Sequence, residues 1–236
     1  MNIDKQKEQL DLIKKIKTQN NYQNKNLKEL KSLPGINGVI ELSFKKHSFF
    51  MLNIFNDDAI PLKYLWRNGY ENLSLEIWYK ITRKEGIFFD IGAHTGLYSI
   101  IGNLGNDQNN IISIEAFYMN YARLISNLRL NKILANNCLL RAASNKEGIS
   151  NFHVPTSFDY HTTGGSVNEK GKLKVSNITL DNFKLNKKIC GIKIDTEGYE
   201  YNIILGGINV ITKNKPDIIF EINKNNFDQC LSLLTI

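Results

Sequence analysis

The sequence predicts an α/β protein built on a doubly wound, mainly parallel sheet. Strand-like and helix-like patterns alternate from Ile87 onward. The runs at 87–91, 111–115, 190–195 and 217–222 are largely apolar, as expected for strands buried on both faces. Between the first two of these strands, apolar residues recur at helical spacing, which places them on one face of a helix. This alternation favours parallel strands joined by helices.

We expect two parts, an N-terminal extension at residues 1–84 and a main domain at residues 85–236. The start of the extension is rich in Lys, Gln and Asn. Its thin apolar stripe predicts a solvated helical arm rather than a partner-binding or membrane-surface helix. Two apolar runs at 38–44 and 48–54 predict a hairpin, and the spacing within 70–84 predicts a helix.

The main domain continues this pattern beyond its first strand. Helical spacing follows the first two strands, at 97–104 and 121–128. Residues 136–144 read as a third strand, and a polar, Gly-containing region follows at 145–174. A helix is expected within 199–205, after the strand that ends near residue 195.

Composition excludes several classes of protein. The chain has 42% hydrophobic and 22% charged residues, which argues against collagen-like and largely disordered chains. Apolar runs are shorter than the roughly 20 residues that a membrane helix needs, and the N-terminus does not resemble a secretory signal. Cys138, Cys190 and Cys230 are widely spaced, which favours a reduced, cytoplasmic compartment over a disulfide framework or a zinc site. The net charge of +7 is scattered, so we expect no specific nucleic-acid partner.

A glycine-containing turn joins the first strand to the first helix. It runs from Asp90 through Gly92 to Gly96, at the strand end where such sheets bind ligands. The spacing Gly-x-x-x-Gly differs from the Gly-x-Gly-x-x-Gly of pyrophosphate binders, so it favours a ligand without a diphosphate. A ligand amine or an ordered water would serve as the partner of the Asp90 carboxylate. The alternative is a purely structural turn.

Acidic residues end two other strands. Glu115 ends the second strand, 115 − 90 = 25 residues after Asp90, where a carboxylate commonly accepts hydrogen bonds from ribose hydroxyls. Asp195 and Glu197 follow the strand at 190–195, where they would bind a cation, position a hydroxyl or act as a general base. The alternatives are an exposed strand-end charge and helix capping, and we assign Glu200 mainly to capping.

Together these segments resemble the FkbM family of S-adenosylmethionine-dependent methyltransferases. The residues that carry the likeness are Tyr70-Glu71, 88–100, 111–117 with Asn127 and Asn131 after it, 178–183, 192–207 and 216–222. The resemblance implies a Rossmann-like class I methyltransferase fold and transfer of a methyl group, usually to a hydroxyl oxygen. The acceptor would be a sugar, a glycan or a small metabolite.

The resemblance also implies roles for individual residues. The residues implied to contact the cofactor are Asp90, Gly92, Ala93, Thr95 and Gly96 in the turn, Glu115 at the ribose, and Arg141, Ala142 and Ala143 near the adenine. Asp195 would lie beside the methyl donor, with Glu197 as the second acid of the pair. Asp195, Glu197 and His161 are the candidate bases, His161 from a loop that resembles the substrate-side loop of the family. No metal site is predicted.

The sequence departs from the family pattern at three places. His94 stands where Asn is usual, and Phe117 stands where Pro is usual. The family fold continues past the strand at 217–222 with a helix and an antiparallel strand pair, whereas this sequence ends at Ile236. We therefore expect either a protein truncated at the C-terminal edge of its sheet or a sheet that is short.

Two other functions remain as alternatives. An NAD(P)-dependent oxidoreductase uses the same architecture, but it predicts the Gly-x-Gly-x-x-Gly turn that this sequence lacks. The third hypothesis is a non-catalytic, truncated fold or a basic binding module. Binding of S-adenosylmethionine to the purified chain separates the three.

Overall fold

The computed structural model describes residues 3–19, 21–67, 69–105, 110–155, 164–221 and 227–235. Its helices are α1 (Ile3–Gln19), α2 (Leu27–Lys31), α3 (Ala59–Arg67), α4 (Asn72–Ile81), α5 (Leu97–Asn103), α6 (Tyr118–Leu130), α7 (Glu200–Leu205), α8 (Ile208–Asn214) and α9 (Phe227–Leu234). Its strands are β1 (Asn37–Phe44), β2 (His47–Ile54), β3 (Ile87–Ile91), β4 (Ile111–Glu115), β5 (Cys138–Leu140), β6 (Ala142–Ala143), β7 (Gly148–His153), β8 (Ser166–Val167), β9 (Leu173–Ile178), β10 (Ile189–Ile194) and β11 (Asp217–Phe220).

The central sheet has five parallel strands in the order β11-β10-β3-β4-β5. Side chains alternate between its two faces, so Phe88 belongs to one apolar core, whereas Phe89 and Ile91 belong to the other. The strand order reverses between β3 and β10, and ligands bind at such a switch point, beyond the carboxyl ends of the strands. The predicted doubly wound parallel sheet, with the fold expected of a class I methyltransferase, is confirmed.

A second, four-stranded sheet lies near the carboxyl ends of the central strands. Residues 136–144 do not form the single strand that the sequence predicts, because β5 pairs with β4 whereas β6 pairs with β9. The chain changes sheets at Arg141, whose backbone N–H donates to the carbonyl of Glu115. The apolar pattern continues on both sides of Arg141, so it does not indicate that the chain moves from one sheet to the other. The second sheet has the order β6-β9-β7-β8, and β7 and β8 lie within the polar, Gly-containing region at 145–174, for which the sequence predicted no strand.

The predicted hairpin is confirmed as β1 and β2, and helix α6 binds its outer edge through side chains. The amide of Asn131 accepts from the N–H of Phe50 and donates to its carbonyl, at 2.8 and 2.7 Å. One turn earlier, Asn127 accepts from the N–H of Leu52, and Arg123 donates to the carbonyl of Leu52, both at 2.8 Å. Residues four apart lie on one helix face, so α6 covers backbone groups that an edge strand would expose.

The N-terminal arm is helical, as predicted, but it is not simply solvated. Ile13 of α1 is only 1% exposed and joins an apolar core shared by the extension and the main domain. Lys17 donates a 2.6 Å hydrogen bond to the carbonyl of Leu65. The thin apolar stripe suffices because Ile13 is buried while Leu10 and Ile16 pack against the same core. The division into two parts at residue 85 stays a prediction, and Trp78 and Phe88 on either side of it share this core. In the described part of the chain, no helix has the length and apolar character to cross a membrane.

Asn127 offers a test of how the hairpin is held. Its fully buried amide accepts from Leu52 and donates to the carbonyl of Thr95 at 2.8 Å. Asn127→Ala leaves these two backbone groups without a partner, so we expect the free energy of unfolding to fall by about 1–3 kcal/mol in urea denaturation. The matched change Arg129→Ala, on the exposed face of the same helix, should stay within about 0.5 kcal/mol of wild type. Equal stability of the two variants would contradict this account.

Candidate active site

A cavity of about 310 Å³ lies at the switch point of the central sheet. The predicted site residues that line it are Gly92, Glu115, Arg141, Ala142, Ala143, Asp195 and Glu197. They come from the ends of β3, β4 and β10 and from the start of the second sheet. The parallel sheet therefore brings together residues that lie about a hundred positions apart in the sequence.

Four other predicted site residues within the described ranges do not line the cavity. Asp90, Ala93 and Thr95 are buried, and together with Gly96 they build the turn and the strand behind the cavity wall. Thr95 lies near the ring of His94 and accepts, through its carbonyl, the amide of Asn127. His161 lies outside the described residues, so its role as a candidate base stays a prediction.

The turn after β3 requires glycine at position 92. Gly92 has φ of +69°, and a Cβ there would lie 1.8 Å from the carbonyl oxygen of Asp195. The ends of β3 and β10 approach so closely that no side chain fits between them. His94 also has a left-handed backbone, with φ of +50°. Asn and His both tolerate this conformation better than most residues, which explains why His replaces the Asn that is usual in the resembling family.

Glu115 is held by two backbone donors. Its carboxylate oxygens accept from the N–H of His94 and from the N–H of Phe117, each at 2.8 Å. Burial raises the pKa of Glu115, and these two bonds oppose the rise. Proline at position 117 would lack the second donor, so the departure from the family pattern adds a hydrogen bond. Each oxygen retains a further lone pair, which suits acceptance from ligand hydroxyls.

A buried cation lies beneath the turn. Lys193 of β10 stands opposite Asp90 of β3, and its Nζ lies 3.3 Å from the Asp90 carboxylate. The same Nζ donates to the carbonyl of Gly92 at 2.8 Å and lies 3.6 Å from the carboxylate of Asp195. Burial opposes the charged form, but Asp90 and Asp195 outweigh it and raise the pKa of Lys193.

The partners of Asp90 differ from those expected. Lys193 provides the charge that a ligand amine was expected to supply, and Ser99 donates a 2.6 Å hydrogen bond to the other carboxylate oxygen. Asp90 thus has partners within the protein, and its implied contact with the cofactor stays a prediction. The sequence signal for this pair was present, because Lys193 interrupts an otherwise apolar strand.

Carboxylates surround the end of β10. Burial, followed by repulsion from Glu221 and Asp195, raises the pKa of Glu197 to about 7. Glu200 is buried and accepts from the N–H groups of Thr196 and Gly198, each at 3.1 Å. Glu200 therefore holds the loop before α7, and it lies in the first turn of that helix, where an acid complements the helix dipole. Within the described ranges, no group of three or more His, Cys, Asp and Glu side chains is arranged to hold a metal ion.

Sequence reasoning missed the opposite walls of the cavity. Lys63, Tyr70 and Glu71 line it from the N-terminal extension, and Phe152 lines it from β7. Tyr70 and Glu71 belong to the family resemblance, which was their only signal. Lys63 and Phe152 reach the cavity through tertiary packing, and no local pattern marks them.

Comparisons with known proteins bear on the identity of this site. The model of the family described as Methyltransferase FkbM domain matches residues 90–235. A solved structure of Methyltransferase FkbM from Methylobacillus flagellatus KT is 16% identical, with a TM-score of 0.44, over 77% of this chain and 48% of that chain. Precorrin-6y C5,15-methyltransferase from Geobacter metallireducens GS-15 is 15% identical, with a TM-score of 0.38, over 70% of this chain and 69% of that chain. This chain thus spans about half the length of the first structure. A comparison with curated proteins gives no match.

The ionisation of Glu197 tests the geometry of the acidic cluster. We expect its carboxyl to titrate near pH 7 in carbon-detected NMR, and Glu221→Gln should lower that midpoint by removing a neighbouring negative charge. The folded state then binds more protons than the unfolded state between about pH 4.3 and the raised value, so this group destabilises the fold as pH rises through that window. Glu169→Gln, at an exposed site, should leave the midpoint unchanged. A wild-type midpoint below pH 5 would show that the cluster is open to solvent.

Proposed function

Because the chain belongs to the FkbM methyltransferase family, we propose that it transfers a methyl group from S-adenosylmethionine to a hydroxyl oxygen. The observation that carries the proposal is that Glu115 and the Gly92 turn line the same cavity. Glu115 has acceptor positions suited to ribose hydroxyls, and the turn has no pyrophosphate-binding spacing. This combination favours a nucleoside ligand over a dinucleotide, and so favours a methyltransferase over the oxidoreductase alternative.

The residues of the cavity fit the donor. Gly92 leaves no room for a side chain, so the backbone itself forms this part of the wall. Ala142 and Ala143 contribute small apolar side chains next to Glu115, as an adenine ring would require. We propose that these three positions and Glu115 hold the nucleoside, with Asp195 beside the sulfur. When bound, S-adenosylmethionine supplies a methyl group already activated by its sulfonium charge.

The protein's remaining task is to orient the acceptor and to take its proton. A general base works best when its pKa lies near the working pH, and Glu197 meets this condition with a pKa of about 7. We therefore propose Glu197 as the base. Asp195, fixed by Lys193, is the positioning carboxylate next to the donor. The proposed acceptor is a hydroxyl-bearing sugar, glycan or small metabolite.

Glu115→Ala tests cofactor binding. Each hydrogen bond from a ribose hydroxyl to this carboxylate is worth about 1.5–3 kcal/mol, so its loss should weaken S-adenosylmethionine binding at least tenfold in calorimetry. Glu169→Ala, on the exposed surface, should bind as wild type does. Both variants are first checked for folding by circular dichroism. Unchanged affinity in Glu115→Ala would remove this residue from the cofactor site.

Glu197→Gln tests the assignment of the base. Once a screen of hydroxyl compounds has identified an acceptor, turnover of this variant should fall about 10²–10⁴-fold while affinity for S-adenosylmethionine stays within a few-fold. Wild-type turnover should rise with pH through about 7, because only the carboxylate form accepts a proton. Asp195→Asn should instead weaken donor binding. Full turnover in Glu197→Gln would contradict the assignment.

A further inference from the structure

Lys63 presents a poorly compensated cation to the cavity. It belongs to α3 of the N-terminal extension, outside the residues that the family model matches. Its Nζ lies 5.0 Å from the centre of the Tyr70 ring. Among the described residues, no carboxylate lies within ion-pair distance of this ammonium, and no acceptor forms a hydrogen bond with it. Burial, followed by repulsion from Arg67, lowers the pKa of Lys63, and attraction to Glu71 and Glu197 opposes this shift only in part.

Glu71 presents a fixed carboxylate to the same cavity. It precedes α4 with a left-handed backbone, φ +46°, which is a strained conformation for a residue with this side chain. The hydroxyl of Tyr98 donates to its carboxylate at 2.8 Å. Tyr98 belongs to α5, the helix that follows the Gly92 turn, and Lys193 lies 5.0 Å from its ring centre. Glu71 is therefore tied to the turn rather than left to move with the extension.

We propose that Lys63 and Glu71 bind the amino-acid end of the methyl donor, Lys63 its carboxylate and Glu71 its ammonium. The inference rests on the proposed function. S-Adenosylmethionine ends in a zwitterion with one charge of each sign, and the cavity offers one cation and one carboxylate from the same extension. Glu115 and the two alanines already account for the nucleoside. The N-terminal extension thus completes the donor site that the family domain begins.

The test compares two ligands that share the nucleoside and the sulfur and differ in the amino-acid chain. S-Adenosylhomocysteine carries the amino-acid group, whereas 5′-methylthioadenosine keeps the nucleoside and the sulfur but lacks it. We expect Lys63→Met and Glu71→Gln each to weaken S-adenosylhomocysteine binding about tenfold or more in calorimetry, since each loses a charged contact. Their affinity for 5′-methylthioadenosine should stay within about twofold of wild type on the same reasoning. Lys63→Arg should restore binding because it restores the charge.

Lys80→Met provides the matched control, because it removes an exposed lysine from the neighbouring helix. It should change neither affinity. Equal weakening of both ligands in Lys63→Met and Glu71→Gln would overturn the inference, since it would indicate general damage to the site. If both variants bound both ligands as tightly as the wild-type chain does, the inference would also be overturned, and a contact with the acceptor would be the remaining role for Lys63 and Glu71. If the wild-type chain bound neither ligand, the proposed function itself would fail, and this inference with it.

Discussion

The ion pair between Lys193 and Asp90 fixes the geometry on which the whole site depends. The two side chains are 5% and 0% exposed, at paired positions of adjacent parallel strands. Neither charge is tolerable alone in such a core, and removing one partner of a buried pair typically destabilises a protein by about 3–5 kcal/mol. The same ammonium binds the carbonyl of Gly92, so the group that neutralises Asp90 also holds the turn. Formation of the strand pair and formation of the turn are therefore coupled.

The turn is held from two further directions. The N–H of His94 binds Glu115 at the end of β4, and the carbonyl of Thr95 binds Asn127 of α6. Asn127 in turn holds the hairpin edge at Leu52. The extension and the main domain are thus joined through the segment that shapes the cavity. Rigid support of this kind fixes side chains in place before a ligand arrives, which lowers the entropy cost of binding.

Sequence patterns predicted the strands and helices, which depend on local residue order, and missed the features that depend on contacts between distant residues. The parallel strands, their helices and the cavity positions of Glu115 and Asp195 follow from apolar runs and from the rule that ligands bind at strand ends. The break at Arg141 escaped prediction because apolar residues lie on both sides of it. The pairing of Asp90 with Lys193 was missed because Lys193, although it interrupts an apolar strand, is matched to Asp90 only by the register of two strands about a hundred residues apart. Lys63 reaches the cavity only through packing of the extension.

The crystal structure of the chain in complex with S-adenosylhomocysteine tests the central claim most directly. The account predicts that the nucleoside occupies the cavity at the switch point. The ribose hydroxyls should lie within hydrogen-bond distance of Glu115 and the sulfur beside Asp195, with the Lys193–Asp90 pair intact beneath the turn. A ligand bound elsewhere, or a ribose that makes no contact with Glu115, would contradict it.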